Sequence, residues 1–259
     1  GLVPLAQSGR VRAVGGTLID TLPPSNALRL EMSASCRVAL LDRSADLEPV
    51  TTDGLARGAN RLLIGDEIVQ FGECKAEGDG VWRLTGLLRG RGGTEIEAAS
   101  GHPSGAPVTL LDERLMELPE GINLGEPGQI AAIGLADSDP VLATLEAPGR
   151  TRRPLFPVQP RCVSDGAGGI VLGWTRRARG GWPWLDEVEQ PLVEQVERYE
   201  VGLGEPENPA RLWTVSESSL ALPAPEIASL AALAPGASLW VRQKGSFAVS
   251  PPLHLTILS

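Results

Sequence analysis

Three short apolar segments separated by Gly-Asp turns constrain the fold of this chain more than any other feature. The segments run from Arg61 to Ile64, from Glu67 to Ala76 and from Val81 to Leu88. The intervals between them hold Gly65-Asp66 and Gly78-Asp79-Gly80. Short Gly-Asp connections fit the primed turns that match the twist of paired strands, so the pattern predicts a three-stranded antiparallel meander.

Further strands are predicted on both sides of this meander, because apolar residues alternate with polar ones there or form short apolar runs. Glycine and proline are abundant, at 31 and 22 residues, and follow no period, which favours many short strands and turns over long helices. Residues 1–150 are therefore predicted to form an antiparallel β domain, either a barrel or a sandwich. The additional strand candidates are Leu28 to Met32, Arg37 to Leu41, Pro107 to Leu111, Ile130 to Ile133 and Val141 to Leu145.

A second domain is predicted over residues 151–259, because the stretch from Ala147 to Pro154 replaces apolar alternation with proline, glycine and charge. Alternation places Trp174 on the inner face of one strand, and a short helix is predicted from Pro225 to Leu233. The closing segments, Leu233 to Arg242 and Ser250 to Ile257, resemble the last two strands of a fibronectin type III domain, and the length suits such a sandwich.

The charge of the chain argues against nucleic-acid binding, because a formal net charge of -9 provides no basic footprint for phosphates. No apolar run approaches the ~18 residues of a membrane span, and no signal peptide is recognisable, so we expect no membrane insertion. The three cysteines are widely spaced and are predicted to be free thiols. The sequence begins at Gly1 instead of methionine, which suggests a segment of a longer protein or a residue left by a tag.

The sequence carries no recognisable catalytic, cofactor or metal motif. The run Gly90 to Glu95 has Glu95 where a dinucleotide fingerprint needs glycine, and His102 and His254 lie in no HExxH pattern. Asp137 and Asp139 have EF-hand spacing, but Pro140 follows and the loop glycine is missing. A glycosidase would need two facing carboxylates, for which Glu67 and Glu73 are the candidates if their strand has no bulge. We therefore expect no enzymatic activity, no cofactor and no metal.

The six tryptophans are the strongest candidates for binding residues, because rigid aromatics anchor interfaces and stack on sugars. Trp82 and Trp213 are predicted to pack on strands. Trp182 and Trp184 lie in the long connection Arg176–Glu197, here called the crossover, whose acidic residues are predicted to form a solvated surface. Trp240 should point outward if its neighbours point inward. The candidate partner or glycan contacts are therefore Trp182, Trp184 and Trp240.

Two sequence runs resemble a known family. The runs Leu62 to Gly72 and Trp82 to Glu95 resemble the C-terminal part of bacteriophage and gene-transfer-agent tail-tip proteins, the baseplate hub and host-specificity proteins. The run Val171 to Arg179, with Pro191-Leu192 and Glu197 to Tyr199, is similar to the fibronectin-like segment of the same family. Where Gly92 stands, the family usually has a second consecutive arginine. Larger members carry a glycosidase-like barrel upstream, and nothing in this sequence resembles it.

The resemblance implies a non-enzymatic structural and recognition module of a phage-like tail tip or baseplate, produced in the bacterial cytoplasm. Other tail proteins and further copies of the chain, as a trimer, would be its partners, with host-surface glycan as a further candidate. A glycan-binding module at the host surface and an accessory domain of a glycoside hydrolase stay open as alternatives. Arg89 and Arg91 are predicted to clamp a turn by bonding nearby carbonyls and carboxylates such as Glu95.

Overall fold

The structure is a computed structural model that describes residues 4–7, 11–116, 128–134, 136–145, 150–179 and 192–258. The chain divides into two compact units, Gly1–Arg150 and Thr151–Ser259. All strand pairs between the described residues are antiparallel, and the fold is all-β with three short helices. In the described part of the chain no helix is both long and apolar enough to span a membrane.

The first unit contains a closed six-stranded barrel, which decides between the two architectures that the sequence left open. Consecutive neighbours around the barrel are β1, β2, β5, β4, β3 and β6, and pairing of Gly16 with Val108 joins β6 back to β1. The strands are β1 (Gly15–Leu18), β2 (Leu30–Leu40), β3 (Arg61–Ile64), β4 (Glu67–Gly78), β5 (Val81–Arg91) and β6 (Pro107–Leu110).

The meander predicted from the Gly-Asp turns is confirmed as β3, β4 and β5. One neighbouring prediction was wrong: Leu28 to Met32 and Arg37 to Leu41 are not two strands, because one strand, β2, covers most of both. Its pairing with β5 shifts register between Glu31 and Ser35, and this irregularity interrupts the alternation that a single strand would show.

The barrel core is made of apolar side chains contributed by all six strands, as expected when one face of every strand points inward. Two short helices lie between strands, α1 (Thr52–Ala56) and α2 (Glu95–Ser100). The Thr51 hydroxyl caps α1 by accepting a hydrogen bond from the Gly54 amide at 3.2 Å. The largest fully buried residues are Leu18, Leu22, Leu62, Ile64, Phe71, Leu84, Leu87 and Arg89, of which only Arg89 is charged.

A separate hairpin follows the barrel in the first unit. It consists of β7 (Gly128–Ala132) and β8 (Val141–Leu145), which pair only with each other among the described residues. A 3-10 turn at Arg150–Arg152 then spans the junction of the two units.

The second unit is a sandwich with the strand order of a fibronectin type III domain. One sheet has three strands, in the order β13, β10 and β9, and the other has four, in the order β12, β11, β14 and β15. A helix, α3 (Ala224–Leu233), connects the two sheets. The strands are β9 (Val158–Ser164), β10 (Ile170–Thr175), β11 (Tyr199–Glu205), β12 (Asn208–Val215), β13 (Ser219–Leu222), β14 (Ser238–Gln243) and β15 (Leu253–Ile257).

Trp174 lies in the centre of the sandwich core, as its alternation predicts. Its side chain is buried and meets the Tyr199 ring edge-on, with ring centroids 5.2 Å apart. Leu172 on the same strand and Leu239 and Val241 on β14 complete the facing layers of the core. The predicted helix is confirmed, and its Leu230 also packs into this core.

Candidate functional site

The first unit buries a cluster of three ionisable side chains at one end of the meander. Glu67 begins β4 directly after the Gly65-Asp66 turn, Arg89 lies near the end of β5, and His102 follows α2. The Arg89 Nε and Nη2 atoms donate to the two Glu67 carboxylate oxygens at 2.8 Å each, which is a bidentate ion pair. The His102 Nε2 atom lies 2.7 Å from Glu67 Oε2.

The Glu67 carboxylate is fully provided with hydrogen-bond donors. The Gly90 amide adds a fourth hydrogen bond, to Oε1, at 2.7 Å, and Arg89 Nη1 donates to the Pro23 carbonyl at 2.9 Å. The Arg89 fork thus donates to both oxygens of Glu67, and Oε2 also lies against the His102 ring. The side chains of Glu67, Arg89 and His102 are 0%, 1% and 9% exposed, so the cluster links three chain segments inside the barrel.

The predicted turn clamp needs one correction. The prediction that Arg89 clamps a turn through Glu95 is wrong about the carboxylate, because the partner of Arg89 is Glu67, on the neighbouring strand. Arg91 Nε donates to the side-chain oxygen of Gln70 at 3.1 Å, and Glu95 is buried at the start of α2. Register pairing of β4 with β5 brings Glu67 and Arg89 together, and this match is not visible in local spacing.

The carboxylates considered for glycoside hydrolysis do not form a pair. The pairing of β4 with β5 shifts register between Ile68 and Gln70, and Glu67 is buried while Glu73 is exposed. In the described ranges, no group of three His, Cys, Asp or Glu side chains could hold a metal ion. The His102–Glu67 contact resembles the base and orienting group of a catalytic triad, but its burial leaves a substrate no access.

The structure describes the two ends of the crossover, residues 176–179 and 192–197, which we call its stems. Hydrogen bonds within the second unit hold both stems in place. Arg179 Nε donates to Glu194 Oε1 at 2.9 Å, although the two residues are 15 positions apart. The other Glu194 oxygen accepts a 2.7 Å hydrogen bond from the Ser246 amide, in the loop between β14 and β15. The Gln195 amide in turn donates to the Ser246 hydroxyl at 3.0 Å. The crossover stems and this loop therefore form one hydrogen-bonded surface at the end of the sandwich.

The charges at these stems are matched. Burial acts to raise the pKa of Glu194, but hydrogen bonds from Ser246 and Arg179 outweigh it and hold the pKa below its usual value. Arg176 pairs with Glu197 at 3.8 Å, and the Tyr199 hydroxyl donates to Glu197 at 2.6 Å. The prediction that the acidic crossover residues form a solvated surface is thus wrong for Glu194, which is buried.

Two of the three candidate tryptophans, Trp182 and Trp184, lie outside the described residues. The third, Trp240, is on the outer face of β14 as predicted, but the prediction that it is free to contact a partner is wrong, because only 3% of it is exposed. Its indole Nε1 donates to the Gly204 carbonyl at 2.8 Å, and the Arg242 guanidinium lies 5.2 Å from the ring centroid. Trp213 and Trp82 are half-buried and pack against the cores of their units.

Exposed apolar side chains surround the stems of the crossover. Val193, Val196 and Phe247 are 44%, 54% and 52% exposed, and together we call them the crossover surface. The Phe247 ring is also approached by the Arg152 guanidinium, 5.7 Å from its centroid. A small cavity of about 10 Å³, lined by residues that include Leu155, Arg179 and Gln243, lies at the same stems. It is far smaller than the ~300–1,000 Å³ of typical small-molecule sites.

Sequence reasoning missed Phe247 and the stem contacts of Glu194. A signal for the latter was present, because Arg179 and Glu194 carry opposite charges at the two ends of the crossover. Nothing in the sequence around Phe247 indicates its position, because its loop and the crossover are about 50 residues apart in the chain and meet only through tertiary contacts.

The comparisons with known proteins bear mainly on the barrel. Residues 13–109, which span β1 to β6, match the model of a family described as "Rcc01698-like, C-terminal". The match covers less than half of the chain. No curated protein matches the chain.

Solved structures with fibronectin-like domains are similar along most of the chain, but at low identity. Domains A168–A170 of titin share 10% identity, covering 95% of this chain and 99% of theirs, with a TM-score of 0.26. The two-domain fibronectin type III segment of chicken tenascin shares 12%, covering 94% and 99%, with a TM-score of 0.27. The FN1–FN3 domains of chicken CNTN1 share 13%, covering 92% and 68%, with a TM-score of 0.24. The barrel of this chain is therefore similar to the Rcc01698-like, C-terminal family over residues 13–109.

Proposed function

We propose that this chain is a non-enzymatic structural and recognition module of a phage-like tail tip or baseplate, with roles in particle assembly and host attachment. Two sequence relationships support the proposal. The barrel region matches the Rcc01698-like C-terminal family, and Rcc01698 is associated with a gene-transfer agent. The runs Leu62 to Gly72 and Trp82 to Glu95 resemble tail-tip proteins. In the parent particle, the chain would meet other tail proteins and further copies of itself, as a trimer.

The single observation that carries the recognition role is the anchoring of the crossover. Glu194 bonds both Arg179 on the opposite stem and Ser246 on the neighbouring loop. These bonds define where the long connection begins and ends, and loops longer than a fold needs tend to carry contacts. Because the stems are ordered before a partner arrives, less conformational entropy is lost on binding.

The chemistry around the stems suits a protein or glycan surface. Val193, Val196 and Phe247 offer exposed apolar area, and the sequence between the stems adds Trp182 and Trp184. Aromatic side chains are the residue type most enriched at binding hot spots. The acidic residues of the crossover would adjust specificity and association rate more than affinity.

Substitutions in the parent protein within its particle test this role. We expect Trp182→Ala with Trp184→Ala, and separately Val196→Ala with Phe247→Ala, to reduce particle assembly or adsorption to host cells while leaving the melting temperature nearly unchanged. A matched control replaces Val163 and Leu212, which are exposed apolar residues on β9 and β12. Normal assembly and adsorption in both test variants would refute the recognition role. A large fall in melting temperature would show that the tryptophans are core residues instead.

The absence of catalysis is tested separately. We expect no turnover of peptidoglycan or oligosaccharides by the purified chain, because the Glu67–His102 contact is buried, with the two side chains 0% and 9% exposed. Product formation that disappears in Glu67→Gln or Glu73→Gln would overturn the non-enzymatic assignment.

A further inference from the structure

Gln243, at the end of β14, is buried in the sandwich while its side chain lacks a protein partner. Only 2% of the residue is exposed. Its backbone amide donates to the Ser250 hydroxyl at 2.9 Å, and its carbonyl accepts from the Ser250 amide at 2.9 Å. The buried Oε1 atom, by contrast, accepts no hydrogen bond within the part of the chain that the structure describes. Because buried amide oxygens are nearly always bonded to protein or to ordered water, this atom indicates a donor that is not a described protein group.

The barrel contains a second buried glutamine, Gln70, whose side chain is fully bonded to protein atoms. It is 1% exposed. Its Nε2 atom donates to the carbonyls of Leu55 and Ala59 at 3.0 and 2.6 Å, and its Oε1 atom accepts from Arg91 Nε at 3.1 Å. Equal burial in the two units thus goes with different partners, and Gln243 is the glutamine whose amide oxygen the described protein leaves unbonded.

A cavity with room for a single water molecule lies beside Gln243. The space open to the centre of a water molecule is about 10 Å³. One water needs ~10–15 Å³ by the same measure, so nothing larger fits. Leu155, Leu192 and Val193 form apolar parts of the wall. An entirely apolar cavity of this kind stays dry, so its occupancy depends on the polar groups that also line it.

The cavity has the polar lining that an internal water requires. Besides Gln243, the side chains of Arg179 and Glu194 lie in its wall. Arg179 uses Nε and Nη1 in bonds to Glu194 and to the Thr151 carbonyl, at 2.9 and 3.4 Å, and a guanidinium has five N–H groups in all. Each Glu194 oxygen can accept further donors. Because an internal water typically makes about three hydrogen bonds, these three side chains provide a complete set of partners.

We propose that this cavity binds one internal water molecule, which donates a hydrogen bond to Gln243 Oε1 and joins the end of β14 to the stems of the crossover. Water fits the site better than an ion of either sign. Arg177 and Arg179 in the wall disfavour a cation, and Glu194 disfavours an anion. A neutral ligand that both donates and accepts hydrogen bonds serves the amide oxygen, the guanidinium and the carboxylate together.

Oxygen-17 magnetic relaxation dispersion of the purified chain tests the proposal, because it counts water molecules that stay bound for longer than the protein takes to tumble. We expect Gln243→Met to lose the dispersion amplitude of one water, since methionine has a similar shape and no group to hold it. The matched control is Gln70→Met, which replaces an equally buried glutamine with protein partners and should keep the wild-type amplitude. Near-UV circular dichroism shows that each variant is folded.

A second measurement uses the unsubstituted chain, so it does not depend on the folding of a variant. In nitrogen-15-labelled protein, the side-chain amide protons of Gln243 should show cross-relaxation with water of the sign that marks a long-lived contact, and those of Gln70 should not. The water site is overturned if the Gln243 protons show no such signal, or if folded Gln243→Met keeps the full dispersion amplitude. Neither readout involves particle assembly or adsorption, so this proposal and the recognition role can fail separately.

Discussion

The indole ring of Trp240 lies directly over Gly202 on the neighbouring strand of the sandwich. The two residues are paired in the register of β11 with β14, and a Cβ atom added at Gly202 would collide with the six-membered part of the ring. The absence of a side chain at position 202 therefore lets Trp240 lie flat on the outer face of the sheet. Arg242 then covers the ring, and a large aromatic that points away from the core is nevertheless buried.

Gly202→Ala should destabilise the second unit by about 1–3 kcal/mol, because the added methyl group displaces the Trp240 ring and strains its packing. Urea unfolding followed by tryptophan fluorescence measures this loss. Gly173→Ala is the matched control, since a Cβ atom there meets Arg161 side-chain atoms at 3.7 and 3.8 Å and the Ser218 carbonyl oxygen at 4.0 Å, which are ordinary contact distances. If both variants lose the same amount of stability, the packing of the Trp240 ring does not depend on the glycine at position 202.

Glu67→Gln should destabilise the barrel by about 3–5 kcal/mol, because it leaves the buried Arg89 guanidinium without its countercharge. Chemical denaturation is the measurement, and Glu73→Gln, at an exposed position of the same strand, should change stability by less than about 0.5 kcal/mol. Glu67→Gln combined with Arg89→Met should be less destabilised than the sum of the single changes. If the stability losses of the two single changes add up fully in the double variant, the ion pair between Glu67 and Arg89 is contradicted.

Stability of the second unit should fall on acidification. The folded state holds the pKa values of Glu194 and Glu200 below the ordinary value of 4.5, against the opposing effect of burial, through hydrogen bonds from Ser246, Arg179, Arg242 and Lys244. A depressed folded pKa contributes stability that is present above pH 4.5 and is lost as pH falls through the folded value. Urea unfolding at a series of pH values measures the loss. In Glu194→Gln the loss below pH 4.5 should be smaller, and an unchanged pH profile would contradict this assignment.

The three cysteines should differ in reactivity toward a thiol reagent at mildly alkaline pH. Burial raises the pKa of Cys36 to about 12, so the native protein presents almost no thiolate there. Burial also raises the pKa of the half-buried Cys74, and Cys162 is exposed. We expect one fast thiol, lost in Cys162→Ser, and no reaction of Cys36 before unfolding. Rapid labelling of Cys36 in the native protein would show that the barrel is open at this position.

Limited proteolysis should cleave first in the stretch from Ala147 to Pro154, because proline, glycine and charge there do not sustain a strand. Mass spectrometry of the early fragments identifies the cut. The β4 to β5 turn is the internal comparison, since Asp79 there lies at the end of a well-paired hairpin. Equal resistance of the two places would argue against independent domains.

Much of the secondary structure was predictable because it depends on local patterns. Alternation and Gly-Asp turns locate β3 at both ends and the starts of β4 and β5, since strand period and turn geometry involve only neighbouring positions, although β4 and β5 continue past their predicted ends, to Gly78 and Arg91. The same reasoning places Trp174 inside the sandwich. The same reasoning failed at β2, where it predicted two strands. The register shift between Glu31 and Ser35 interrupts the alternation, so the sequence pattern does not show that the strand is continuous.

Sequence alone determined that this chain is all-β, which residues form the meander and on which face Trp174 lies. Tertiary structure decided which side chains meet. Closure of the barrel by Gly16 and Val108, the choice of Glu67 over Glu95 as the partner of Arg89, and the burial of Trp240 over Gly202 all depend on residues far apart in the chain. Register between non-neighbouring strands sets these contacts, and a local pattern specifies the face on which a side chain lies without specifying what covers it.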